Sequence, residues 1–76
     1  MKRVIKTDKA PAAVGPYSQG WRTGDFIFTA GQGPLDPKTG KIQGANVQEQ
    51  TKKVLENIKA ILEANGTSMN DVVKTL

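Results

Sequence analysis

The stretch NVQEQTKKVLENIKAILEANG, residues 46–66, decides how the rest of the chain is read. Val47, Thr51, Val54, Leu55, Ile58, Ile61 and Leu62 follow at spacings of 4, 3, 1, 3, 3 and 1, laying one stripe along a helical period. Glu49, Lys52, Lys53, Glu56, Lys59 and Glu63 fall on the other faces. Asn46 can cap the first turn with Glu49 three residues on, and Gly66 can close the last turn in the left-handed conformation. The pattern predicts a helix over residues 47–65, about 28 Å long. Only one of its faces is apolar, so the helix must lie on something flat, and the remaining chain has to supply a sheet.

The segment SQGWRTGDFIFTAG, residues 18–31, answers that need. Ser18–Arg22 and Phe26–Ala30 carry the apolar residues, and Thr23-Gly24-Asp25 between them reads as a hairpin turn because Gly24 can take a positive φ. Phe26, Phe28 and Ala30 share one face of their strand while Ile27 and Thr29 share the other, so both faces are expected to be covered, one by the helix and one by a neighbour. Arg3–Lys6 is expected to form a short edge strand with charged flanks. Residues 10–16, with two prolines and a glycine, form a loop. Residues 32–42 are turn chemistry around Asp36-Pro37-Lys38-Thr39-Gly40. Asn70–Leu76 reads as the beginning of a strand that no turn closes, so the chain is expected to be a fragment. The fold class expected is α+β: a β-hairpin and one amphipathic helix on a mixed sheet, cut off in the following strand.

Composition bounds the chemistry. Seventy-six residues make one small domain with a thin core, and no cysteine is present to staple it, so association with another chain is expected. The amino end is basic but has no apolar stretch behind it to make a secretory signal, and no apolar run approaches the length of a membrane span. A cytoplasmic location and no membrane partner are therefore expected. The net charge is +4, of which Lys2, Arg3, Lys6 and Lys9 against Asp8 supply 4 − 1 = 3. The aromatic residues have only Arg22 among them, which disfavours a nucleic-acid groove. Arg3 and Arg22, the two arginines, are expected to make surface pairs.

With no histidine and no cysteine, a Ser-His-Asp triad, a Cys-His pair and a thiolate or imidazole metal site are all impossible within these residues. Gly31-Gln32-Gly33 begins like a dinucleotide fingerprint, but Pro34 removes an amide donor and Asp36 stands at the third glycine. Gly33 to Gly40-Lys41 has six residues between its glycines where a phosphate loop needs about four, and Ile42 replaces the magnesium-binding hydroxyl. What remains is Tyr17, the only tyrosine, inside VGPYSQG (14–20), and the strand end Thr29-Ala30-Gly31 with its main-chain groups. From the residues alone two readings of Tyr17 stand: a ring packed on the hairpin, or a hydrogen-bonding wall of a site.

APAAVGPYSQG, FTAGQGPLDPKTGKI, NVQEQTKKVLENIKAILEANG and MNDVVKTL, taken in order, resemble the first part of the reactive intermediate deaminase family, also called the RidA or YjgF family. The resemblance runs along the whole chain, and the segments GPYSQG, AGQ and PKTG stand at family-like separations. It implies a chorismate-mutase-like half-domain occupying residues 1–76, a homotrimeric parent and a ligand pocket at each subunit junction. It further implies hydrolysis of 2-imino and enamine acids to 2-keto acids and ammonia without a cofactor or metal. In such a site water attacks an activated C=N carbon while the substrate carboxylate is held, which calls for a charged fork and an oriented water. The family's arginine fork and water-placing glutamate belong to its second half, so no complete catalytic set is expected in this chain. Carried over are Tyr17, whose ring and hydroxyl would line the pocket, and Ala30 and Gly31, whose backbone would approach the ligand. Some members have serine where Ala30 stands, and alanine lacks the hydroxyl that contacts the ligand carboxylate. Two other readings stay open: a non-catalytic small-acid-binding or chaperone-like module, and a ribonuclease or translation inhibitor.

Overall fold

The computed structural model describes residues 2–15 and 17–75. Three strands and one long helix follow in order: β1 (Lys2–Ile5), β2 (Gly20–Thr23), β3 (Phe26–Thr29) and α1 (Val47–Glu63), then a single 3-10 turn at Met69–Asp71. The strands form one antiparallel sheet in the order β1-β2-β3. The mixed character expected of the sheet is not seen among these three strands.

The hairpin turns on Gly24 and Asp25. Thr23 pairs with Phe26, and only Gly24 has a positive φ, of 57°, which is the two-residue turn with glycine in first position whose twist suits two antiparallel strands. Register then sorts the side chains. Val4, Trp21 and Phe28 stand opposite one another on one face, and Ile5, Gly20 and Thr29 on the other.

The second face receives the helix. Ile61 is completely buried with Ile5 and Ala10, and Ile27 and Ala60 pack against them. Gly20 is required here: a Cβ at that position would lie 2.8 Å from the Phe28 carbonyl oxygen and 3.3 Å from the Ile61 side chain, so the helix sits where a side chain would otherwise be.

The ends of α1 are closed as their residues predict. Asn46 accepts from the Glu49 amide at 2.9 Å, and the Glu49 carboxylate reaches back to the Ala45 amide at 2.7 Å. At the other end Thr67 donates to the Leu62 carbonyl and Gly66, at φ 77°, to that of Glu63, a Schellman closure that stops the helix at Glu63, two residues short of the expected end.

Two expectations are corrected. Only the carboxy-terminal half of the stripe meets the sheet; Val47, Thr51 and Leu55 are exposed, because the three short strands underlie only part of the helix. Of the strand expected at Asn70–Leu76, residues 70–75 do not form one: Ser68 accepts from the Asn70 amide while Asp71 accepts from Ser68, which winds Met69–Asp71 into a 3-10 turn, and Val72–Thr75 has no strand beside it among the described residues. Leu76 lies outside the described residues.

Candidate functional site

The three residues carried over as a site are joined through main chain. Tyr17 lies in the long loop between β1 and β2, and its amide donates to the Gly15 carbonyl at 2.8 Å. Its ring stands by Gly15, where a Cβ would be 3.6 Å from two ring carbons, and the residue is 50% exposed. The phenol is therefore not a core ring. Pro16 lies outside the described residues.

Two positions further on, the Gln19 carbonyl accepts from the Ala30 amide at 2.8 Å, which fastens the Tyr17 loop to the end of β3. The Ala30 carbonyl accepts in turn from the Gln32 side chain at 3.4 Å. With both polar groups of Ala30 engaged, the backbone donor left at this strand end is the Gly31 amide, which has no partner among the described residues. A side chain at Gly31 would meet open space. Tyr17, two residues before Gln19, and Gly31, the residue after Ala30, are both exposed.

Sequence reasoning missed two residues that shape this region. Gln19 is 4% exposed and its side-chain amide is bonded to the 7–11 segment. Asn57 is buried on α1, and its Nδ2 donates to the carbonyls of Gly33 at 3.1 Å and Leu35 at 3.0 Å, holding the loop after β3 onto the helix. A signal for Asn57 existed: it lies three residues after Val54 and four before Ile61, on the buried side of the wheel. Gln19 had none, since nothing in its neighbours distinguishes a buried amide from a solvated one.

Arg22 differs from its expected surface pairing: its Nε donates to the Gly24 carbonyl at 3.2 Å and so braces the hairpin turn. A concavity of about 560 Å³ lies elsewhere, an open groove along α1 lined by Val47, Thr51, Leu55 and Met69 among others. It carries none of the three candidate residues. Among the described residues no cluster of three or more histidine, cysteine, aspartate or glutamate side chains could hold a metal, and no helix is long and apolar enough to cross a membrane.

Comparison with known proteins gives this geometry its family. Residues 7–76 match the family model described as endoribonuclease L-PSP. The chain belongs to that family. It is the RidA/YjgF family whose segments the sequence resembles, and its members have the chorismate-mutase-like α+β fold seen here in part. A RutC family protein of Pyrococcus abyssi is 62% identical over 96% of this chain and 58% of its own length. The 2-iminobutanoate/2-iminopropanoate deaminase of Salmonella typhimurium is 49% identical over 99% of this chain and 58% of its own. Among solved structures, Escherichia coli TdcF with bound serine superposes with a TM-score of 0.88 at 48% identity, over 93% of this chain and 55% of that one. The chain spans 58% of the length of each of the two curated relatives.

Proposed function

We propose that these residues are the amino-terminal part of a single RidA-like domain in an enzyme that hydrolyses 2-imino and enamine acids. Water adds to the C=N carbon, the tetrahedral adduct expels ammonia, and a 2-keto acid remains. The observation that carries the reading is the Gln19–Ala30 bond, which couples a half-exposed phenol to a strand end with an open amide; the 49% identity to a 2-iminobutanoate/2-iminopropanoate deaminase supports it.

In this reading the Tyr17 hydroxyl and the Gly31 amide hold polar atoms of the substrate, and Ala30 contributes shape alone. The charged fork for the carboxylate and the group that orients water come from outside these residues. No cofactor takes part. The exposed outer sheet face, with Phe26 at 66% and Phe28 at 63%, supports a homotrimer in which like faces cover one another.

The test is direct. The protein expressed from its complete reading frame is mixed with freshly generated 2-iminobutanoate, and loss of the imine is followed. Acceleration over buffer is expected, and none would eliminate the deaminase. A second reading, a non-catalytic binder of small acids, is favoured by the serine bound to TdcF, since an amino acid is held there without an imine to hydrolyse. Binding of 2-oxobutanoate without turnover would select it.

A further inference from the structure

We infer that Gln19 is the positioning residue of this site, one buried amide that sets where the Tyr17 loop stands relative to the Ala30–Gly31 strand end; its catalytic meaning rests on the deaminase reading above. Both ends of its side-chain amide are engaged by main chain. Oε1 accepts from the Thr7 amide at 2.7 Å, and Nε2 donates to the carbonyls of Thr7 at 3.0 Å, Ala10 at 3.2 Å and Pro11 at 2.8 Å. Two N–H bonds serve three carbonyls, so one is shared.

The consequence is a loop tied at both ends by one residue. The described residues between Thr7 and Gln19 form no strand or helix. Left to itself such a segment samples many conformations, and a phenol on it would have to be ordered each time a ligand binds. Gln19 removes that freedom on one side by holding 7–11, where Ala10 and Pro11 are buried, and on the other by its own carbonyl on Ala30. Tyr17 follows two residues before this knot. A carboxylate could not substitute for the amide, because it would set negative oxygens against three carbonyls.

The experiment uses the protein expressed from its complete reading frame and begins without a variant. The Thr7 amide and the Gln19 side-chain amide protons are expected to exchange at least about tenfold more slowly than in an unstructured peptide. Exchange at peptide rates would overturn the inference. Gln19→Met then keeps the volume and removes all four side-chain bonds, and Ile61→Val, which thins the core that Ala10 joins but leaves every Gln19 bond in place, serves as the control for lost thermal stability. In Gln19→Met the Thr7 protection is expected to vanish, the nuclear magnetic resonance signals of the Tyr17 ring and the Ala30 amide to move, and KM for 2-iminobutanoate to rise about tenfold or more. Ile61→Val should leave KM within about twofold. Tyr17 and Ala30 signals unmoved in a Gln19→Met protein that has lost Thr7 protection would overturn the positioning role. So would an equal rise in KM in both variants. If wild type leaves the imine untouched, the deaminase reading falls, and the ring and amide signals still decide what Gln19 does.

Discussion

Replacing Asn57 by leucine would leave the carbonyls of Gly33 and Leu35 without their donor on a helix face that water reaches poorly. Such a loss costs about 1 to 3 kcal/mol, and a urea titration of Asn57→Leu should show its midpoint lowered accordingly. Tyr17→Phe is expected to behave in the opposite way. The phenol is half exposed, so stability should stay within about 0.5 kcal/mol of wild type, while KM for 2-iminobutanoate in the complete protein should rise. A fall in the melting temperature with KM unchanged would return Tyr17 to a packing role. The two residues also mark how far single positions can be read. Tyr17 stood out because it is unique and set among turn formers, whereas Asn57 and Gln19 are ordinary polar residues whose burial depends on what packs over them.

For the elements, local chemistry was most legible where partners are a few residues apart. The Asn46 cap, the Gly66 closure and the Gly24 turn all appear as the residues predict, since each bond spans a short stretch of chain. Asn46→Ala should therefore cost about 1 kcal/mol, read as a shift in the urea midpoint. Gly20→Ala tests the contact between elements. Its Cβ would press on the Phe28 carbonyl and Ile61 together, so a loss of about 1 to 3 kcal/mol is expected, with the helix displaced from the sheet. The strand expected at residues 70–76 shows the opposite limit. Val72 and Val73 have strand-forming side chains, yet a strand exists only where another donates and accepts along its edge, and Ser68 with Asp71 offers the backbone a nearer partner.

At the scale of the molecule, exposed apolar side chains gather on two surfaces of the described residues. One is the outer face of the sheet, where Val4, Trp21, Phe26 and Phe28 stand exposed and the Lys2 ammonium lies 5.4 Å from the centre of the Trp21 ring. The other is the groove along α1, where Leu55 is 47% exposed. The homotrimer proposed through the sheet face predicts that Phe28→Asp leaves the complete protein monomeric in sedimentation equilibrium, because a carboxylate would be buried without a partner. A trimer that survives the substitution would place the contact elsewhere. The 76-residue chain alone is expected to show little imine hydrolysis, and turnover equal to that of the complete protein would refute the proposed division of the site.

By itself the sequence determined the hairpin, the capped helix and the turns between them, which rest on residue type and short spacing, and its resemblance to known proteins pointed to the family. Only the tertiary structure decided which half of the apolar stripe is covered, that Gly20 is where helix and sheet touch, and that Gln19 and Asn57 are buried amides holding loops in place. Those outcomes depend on contacts between segments many residues apart, as between Gln19 and Thr7 or Asn57 and Gly33, where the distance in space is set by the fold.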